Sequence, residues 1–174
     1  ALLAAIQEEA GRLDLSSAHI NFPLSEEDAA FPRAWLPRID VQYHWRNPGH
    51  WRDVDGFLAD FDHKHRKNIR QERAKVQRAG VSFRIVHGDE ASEADLQAMF
   101  GFYLQTFHDY GNSPALTLAF LRHLALAMPR NLVMFLADHE GRTVAGALCL
   151  RGGDTLYGRY WGATSSIPGL HFET

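Results

Sequence analysis

The sequence predicts an α+β fold, a mixed sheet containing an antiparallel meander and flanked by helices. Three observations predict it. Apolar runs at 131–137, 143–150 and 155–162 are separated only by Asp138-His139-Glu140-Gly141 and Gly152-Gly153-Asp154. Those turns are too short for a crossover, so consecutive strands must run antiparallel. Before them, 92–107 and 116–128 carry apolar residues at helical intervals, and a long basic segment at 53–78 repeats every three to four residues.

The 174 residues are 45% hydrophobic and 22% charged, which excludes disordered and fibrous classes. No apolar run approaches the roughly 20 residues that span a bilayer, so no membrane insertion is expected. The opening residues carry Gln7, Glu8 and Glu9 and no basic leader, unlike a signal peptide. The single cysteine, Cys149, excludes an internal disulfide and sits in an apolar strand pattern. A buried inert thiol and a reducing, cytoplasmic setting are expected.

Taken in order, 2–13 reads as an amphipathic helix with Leu2, Leu3, Ile6, Ala10 and Leu13 on one face. Residues 17–22 read as a short strand ended by Pro23. Ser25 caps a short helix whose first turn is acidic. Residues 38–46 alternate Ile39, Val41, Tyr43 and Trp45 with Asp40, Gln42 and His44, the period of a strand, and Asn47-Pro48-Gly49 turns the chain. One helix is expected from Asp53 to Arg78, apolar up to Phe61, charged afterwards, and ended by Ala79-Gly80. A strand at 81–86 follows. Ser92 with Asp95 forms an acidic relative of the capping box. It opens a helix whose core face would use Leu96, Met99, Phe100, Tyr103, Leu104 and Phe107. After the meander, 163–168 is a polar loop and 169–174 looks like the first turn of a helix. Both chain ends look cut, so a fragment of a longer protein is expected.

The charge distribution is uneven. Residues 1–62 hold 5 basic against 11 acidic residues, 63–84 hold 8 against the single Glu72, and 85–174 hold 5 against 9. Lys64, Arg66, Lys67, Arg70 and Arg73 form a candidate polyanion-binding stripe, because neighbouring cations neutralise several phosphates together. The bland alternative is a solvated helix that meets acidic patches of its own fold. No aromatic ring for base stacking lies in the basic half, which argues against sequence-specific RNA reading.

The ten histidines are scattered and form no His-Glu-x-x-His pair, so no metal site is expected. Neither a Walker loop nor a dinucleotide fingerprint is present. The second candidate region is carboxyl-terminal. Period two puts Tyr157, Arg159 and Trp161 on one strand face. The loop from Gly162 through Thr164, Ser165 and Ser166 to Gly169 feeds a helix start whose free N–H groups suit a phosphate or carboxylate. An ordinary strand-to-helix connection is its bland alternative.

At 131–137 and 140–148 the sequence resembles the antiparallel core of GNAT-type acyltransferases, and 65–73 resembles the basic helix of the FemAB-like group associated with peptidoglycan biosynthesis. Gly152-Gly153-Asp154-Thr155-Leu156-Tyr157-Gly158-Arg159-Tyr160-Trp161-Gly162 and Pro168-Gly169-Leu170-His171-Phe172-Glu173 are closer still to an uncharacterised bacterial family of this kind. The resemblance implies two GNAT-like lobes, with 1–50 finishing the first, 51–80 connecting them, and 81–174 beginning an incomplete second. It implies acyl transfer to an amine acceptor from acyl-CoA or aminoacyl-tRNA, with no tightly bound cofactor. Tyr157, Arg159, Trp161, Thr164, Ser165, Ser166 and Gly169 would line the donor site, and His171 and Glu173 are the acid–base candidates. The rival readings are a non-enzymatic nucleic-acid or polyanion-binding module, with tRNA as a candidate partner, and a degenerate GNAT-fold interaction protein.

Overall fold

The computed structural model describes residues 2–39, 41–164 and 166–170. The chain divides into two compact units, Ala1–Asn47 and Pro48–Thr174.

In the first unit, α1 (Leu2–Arg12) forms where the periodicity placed it. The 3₁₀ turn Ser25–Ala30 follows. Ser25 is not its cap. Leu24 stands at that position and donates its backbone N–H to the Glu27 carboxylate at 2.8 Å. The strands expected at 17–22 and 38–46 are not formed among the described residues. The alternation at 38–46 is real, but a strand exists only through a partner's backbone, and no described strand pairs with it. Ile39 and Tyr43 are 99% and 95% exposed.

In the second unit, the expected single helix is two: α2 (Val54–Ala59) and α3 (His63–Arg78). The break comes from carboxylates that prefer capping to helix continuation. The Asp53 side chain accepts from the Gly56 N–H at 2.8 Å, and that of Asp62 from the His65 N–H at 2.9 Å. Between them, Asp60 accepts from the Trp51 indole at 2.6 Å and lies 2.9 Å from His50 Nε2. Strand β1 (Ser82–His87) leads to α4 (Glu93–Asp109), capped by Ser92 and Asp95 as the motif predicts. Helix α5 (Leu118–Ala127) begins at a Thr117 cap.

Strands β2 (Leu132–His139), β3 (Arg142–Gly152) and β4 (Thr155–Ala163) form the meander. The sheet order is β1-β2-β3-β4 and every pairing is antiparallel, so the described sheet is not mixed. The β2–β3 turn is tighter than expected. Only Glu140 and Gly141 remain outside the strands, both with positive φ (50° and 74°), as a two-residue hairpin turn requires.

One sheet face carries Val86, Leu132, Met134, Leu136 and Leu148 against Leu96, Met99 and Phe102 of α4 and Leu121 and Ala125 of α5. Phe102, 2% exposed, was missing from the expected core face of α4, while Leu104 is 38% exposed. Helix α4 sits directly on the strands. A Cβ added at Gly162 would lie 2.5 Å from the Phe102 carbonyl oxygen. The Thr106 hydroxyl donates to the Trp161 carbonyl at 2.7 Å, fastening helix to strand. On the opposite face Val76 of α3 meets Val81, Ala137, Val144, Ala145 and Leu170.

Candidate functional site

Period two predicted one shared face for Tyr157, Arg159 and Trp161, and the register of β4 overturns that. Leu148 pairs with Tyr160 and Cys149 with Gly158, so Arg159 is an extra residue, a β-bulge. Beyond it the alternation is reset. Tyr157 pairs with Leu150 and lies on the α4 face, whereas Trp161 pairs with Ala147 and lies on the opposite face. The Arg159 guanidinium sits 5.5 Å from the Tyr160 ring centroid, within cation–π range. Tyr160 itself packs edge-on against Tyr103 at 4.6 Å.

Past β4, the Thr164 N–H and hydroxyl both donate to the Val144 carbonyl, at 2.9 and 3.3 Å. That hydroxyl thus extends the β3–β4 pairing. Ser166 is exposed. Gly169 adopts φ 88°, a left-handed conformation that favours glycine, and packs on α3. A Cβ there would stand 3.2 Å from the Glu72 carbonyl oxygen and 3.3 Å from the Val76 side chain. Leu170 is buried in the same cluster. Two regions nearly a hundred residues apart in sequence therefore meet: the carboxyl-terminal loop returns to the basic helix. Ser165, His171 and Glu173 lie outside the described residues.

The basic helix carries the larger concavity, about 500 Å³, lined by His63, Arg66, Lys67, Arg70, Gln71, Ala74 and Arg78. These positions follow i, i+3, i+4 spacing along a single helical face. A smaller one of about 270 Å³ lies between α2 and α3, bounded by Val54, Asp55, Leu58, Arg70, Arg73, Ala74 and Gln77. Of the five predicted cations, Arg66, Lys67 and Arg70 thus share the main groove, Arg73 lines the neighbouring one, and Lys64 lines neither. Arg78 and His63 complete the groove and were missed. The spacing that selects Arg66 and Arg70 reaches both when continued toward each end of the helix. Arg66 donates to the Phe61 carbonyl at 3.0 Å, and Arg70 reaches Asp55 at 3.2 Å. The only carboxylate partner of these cations among the described residues is that Asp55, so the acidic self-contacts of the bland reading are nearly absent.

A third cluster is structural. Arg84 on β1 donates to Asp95 of α4 at 2.9 Å and to Asp138 of β2 at 2.5 Å. The Thr143 hydroxyl donates to Asp138 at 2.7 Å. The Arg84 hydrogen bond, aided by Thr143, holds the Asp138 carboxyl below the usual range against the opposing effect of burial. Burial pushes Asp95 up, but the Ser92 and Arg84 hydrogen bonds outweigh it and leave its pKa lowered. Arg84 is correspondingly raised by both carboxylates.

Chemically, the described residues offer no activated nucleophile. Burial raises the Cys149 thiol above its ordinary value, which disfavours the thiolate. No three His, Cys, Asp or Glu among the described residues converge as metal ligands. No helix among them is long and apolar enough to cross a membrane.

No curated protein matches the chain. The profile of the FemAB-like family, described as peptidoglycan biosynthesis/recognition, matches residues 1–174, its whole length. The chain therefore belongs to the FemAB-like family.

Proposed function

We propose that this protein serves N-acyl transfer in cell-envelope metabolism, moving an acyl or aminoacyl group from acyl-CoA or aminoacyl-tRNA to an amine acceptor in the cytoplasm. The observation that carries this reading is the family match across the whole chain. The antiparallel meander supports it, since it has the form expected of a GNAT-like lobe. On this reading 1–50 belongs to one lobe, 51–80 connects, and 81–174 belongs to a second.

Such transfer needs no covalent intermediate. It works by holding donor and amine in reacting geometry and by aiming backbone N–H groups at the carbonyl oxygen where charge develops. The donor side is the sheet face that carries Trp161, continued by Thr164, Ser166 and Gly169, with Arg159 at its edge; Ser165 stays a candidate by the family resemblance. Tyr157, on the other face, then supports β4 and does not touch the donor. His171 and Glu173 are the candidates for moving the amine's proton.

Thermal shift and calorimetry with acyl-CoA esters and charged tRNA test the proposal. One donor class is expected to bind. Trp161→Ala should weaken it about tenfold, a loss of about 1.4 kcal/mol, and Tyr157→Ala should leave it unchanged. Absence of binding by both donor classes would retire the transferase reading.

A further inference from the structure

Helix α3 has a charge distribution that the transferase reading does not use. At about 100° per residue, Ile69, Glu72 and Val76 fall on one side of the helix. Val76 is buried there and Ile69 and Glu72 are half-buried. All seven cations, Lys64, Arg66, Lys67, Arg70, Arg73, Lys75 and Arg78, fall on the remaining arc of about 200°. Arg66 is half-buried and the other six are exposed. That arc holds no acid, and only Arg70 has a carboxylate partner among the described residues. The helix is about 24 Å long at 1.5 Å per residue, so it presents a basic half-cylinder away from the sheet, one flank of which, at Arg70 and Arg73, borders α2. A shallow trough floored by Ala74 runs along its middle, with Arg66 and Arg70 on one bank and Lys67 and Arg78 on the other.

We infer that this half-cylinder is a peripheral docking surface for an anionic phospholipid bilayer, with α3 lying along the membrane plane and not crossing it. Three features favour lipid over a nucleic acid strand. The cations cover an arc much wider than a single phosphate track needs. No Phe, Tyr or Trp lies on α3, where the rings are the imidazoles of His63 and His65, and the larger rings just before it are engaged with one another. Trp51 meets Phe57 at 5.0 Å and Phe57 meets Phe61 at 4.9 Å, both edge-on, so base stacking gains nothing from them. Finally, 85–174 is acidic overall. Residues 48–62 of the same unit add one Arg against four Asp, of which Asp55 pairs with Arg70, so the unit's positive charge is concentrated on α3 and an anionic plane would attract that helix. Long Arg and Lys stems let cations on the flanks of the arc still reach headgroup phosphates.

The experiment is co-sedimentation of the full chain with vesicles of phosphatidylcholine alone or with one-third phosphatidylglycerol. Binding is expected only to the anionic vesicles, and it should weaken as salt shortens the screening length from about 10 Å at 0.1 M to about 3 Å at 1 M. Each cation near such a surface contributes about fivefold in partitioning. The quadruple variant Lys64→Gln/Lys67→Gln/Arg70→Gln/Arg78→Gln should therefore lose at least a hundredfold. The singles Lys67→Gln and Arg78→Gln should lose about fivefold each, and they carry the test if circular dichroism shows the quadruple variant unfolded. No binding to anionic vesicles, or equal binding by the variants, overturns the inference. So does tighter binding of a single-stranded uridine oligomer than of vesicles at equal ionic strength, read by fluorescence anisotropy. No acyl donor is present in these assays, so their outcome is independent of the transferase test.

Discussion

At the scale of single residues, the best-defined electrostatic group is Arg84 with Asp95 and Asp138, which ties β1, β2 and α4 together. The sequence announced only the Ser92–Asp95 cap. Asp138 read as part of a turn, and only strand pairing brings it to Arg84. Because both carboxyls are lowered in the folded protein, their contribution is present above the ordinary carboxylate value near 4 and is lost as pH falls below it. Asp138→Asn is expected to destabilise the protein at pH 7 by about 1–2 kcal/mol, because the hydrogen bonds are charged but Arg84 remains partly solvated. The gap between variant and parent should be smaller at pH 3 than at pH 7. Urea unfolding at the two pH values measures it, and a constant gap would show that charge plays no part.

At the scale of elements, the meander was the most legible feature, since its turns leave no alternative to antiparallel neighbours. Its details were not. The bulge at Arg159 has no signature in the sequence, because Tyr157, Arg159 and Trp161 obey period two whether or not the strand takes in an extra residue. Similarly, α2 and α3 share one continuous periodicity, and the break between them depends on Asp60 finding Trp51 and His50. Gly162 shows how closely elements fit. Gly162→Ala would drive a methyl into the α4 backbone, and overpacking of this kind costs about 1–3 kcal/mol. A lower urea midpoint at unchanged slope is the expected result.

At the scale of the whole molecule, the second unit contains both hydrophobic clusters, while α1 buries none of its residues. Leu36 and Tyr43, 90% and 95% exposed, lie in a stretch without regular structure before the unit boundary. Brief chymotrypsin treatment is expected to cut at Tyr43 or Leu36 first and to leave 48–174 folded, which mass spectrometry and circular dichroism can follow. First cleavage within the meander would contradict a self-sufficient core.

The sequence by itself determined the α+β class, the helices α1, α4 and α5, the antiparallel order of the three meander strands and the location of the positive charge. Each of these is set by local periodicity, capping chemistry or turn length, and neighbours along the chain supply all of those. Tertiary structure alone decided that 38–46 pairs with no described strand, that β4 resets its alternation, and that the carboxyl-terminal loop closes on the basic helix at Gly169 and Val76. These features depend on which backbone groups and surfaces meet across tens of residues, and local pattern carries no record of such meetings.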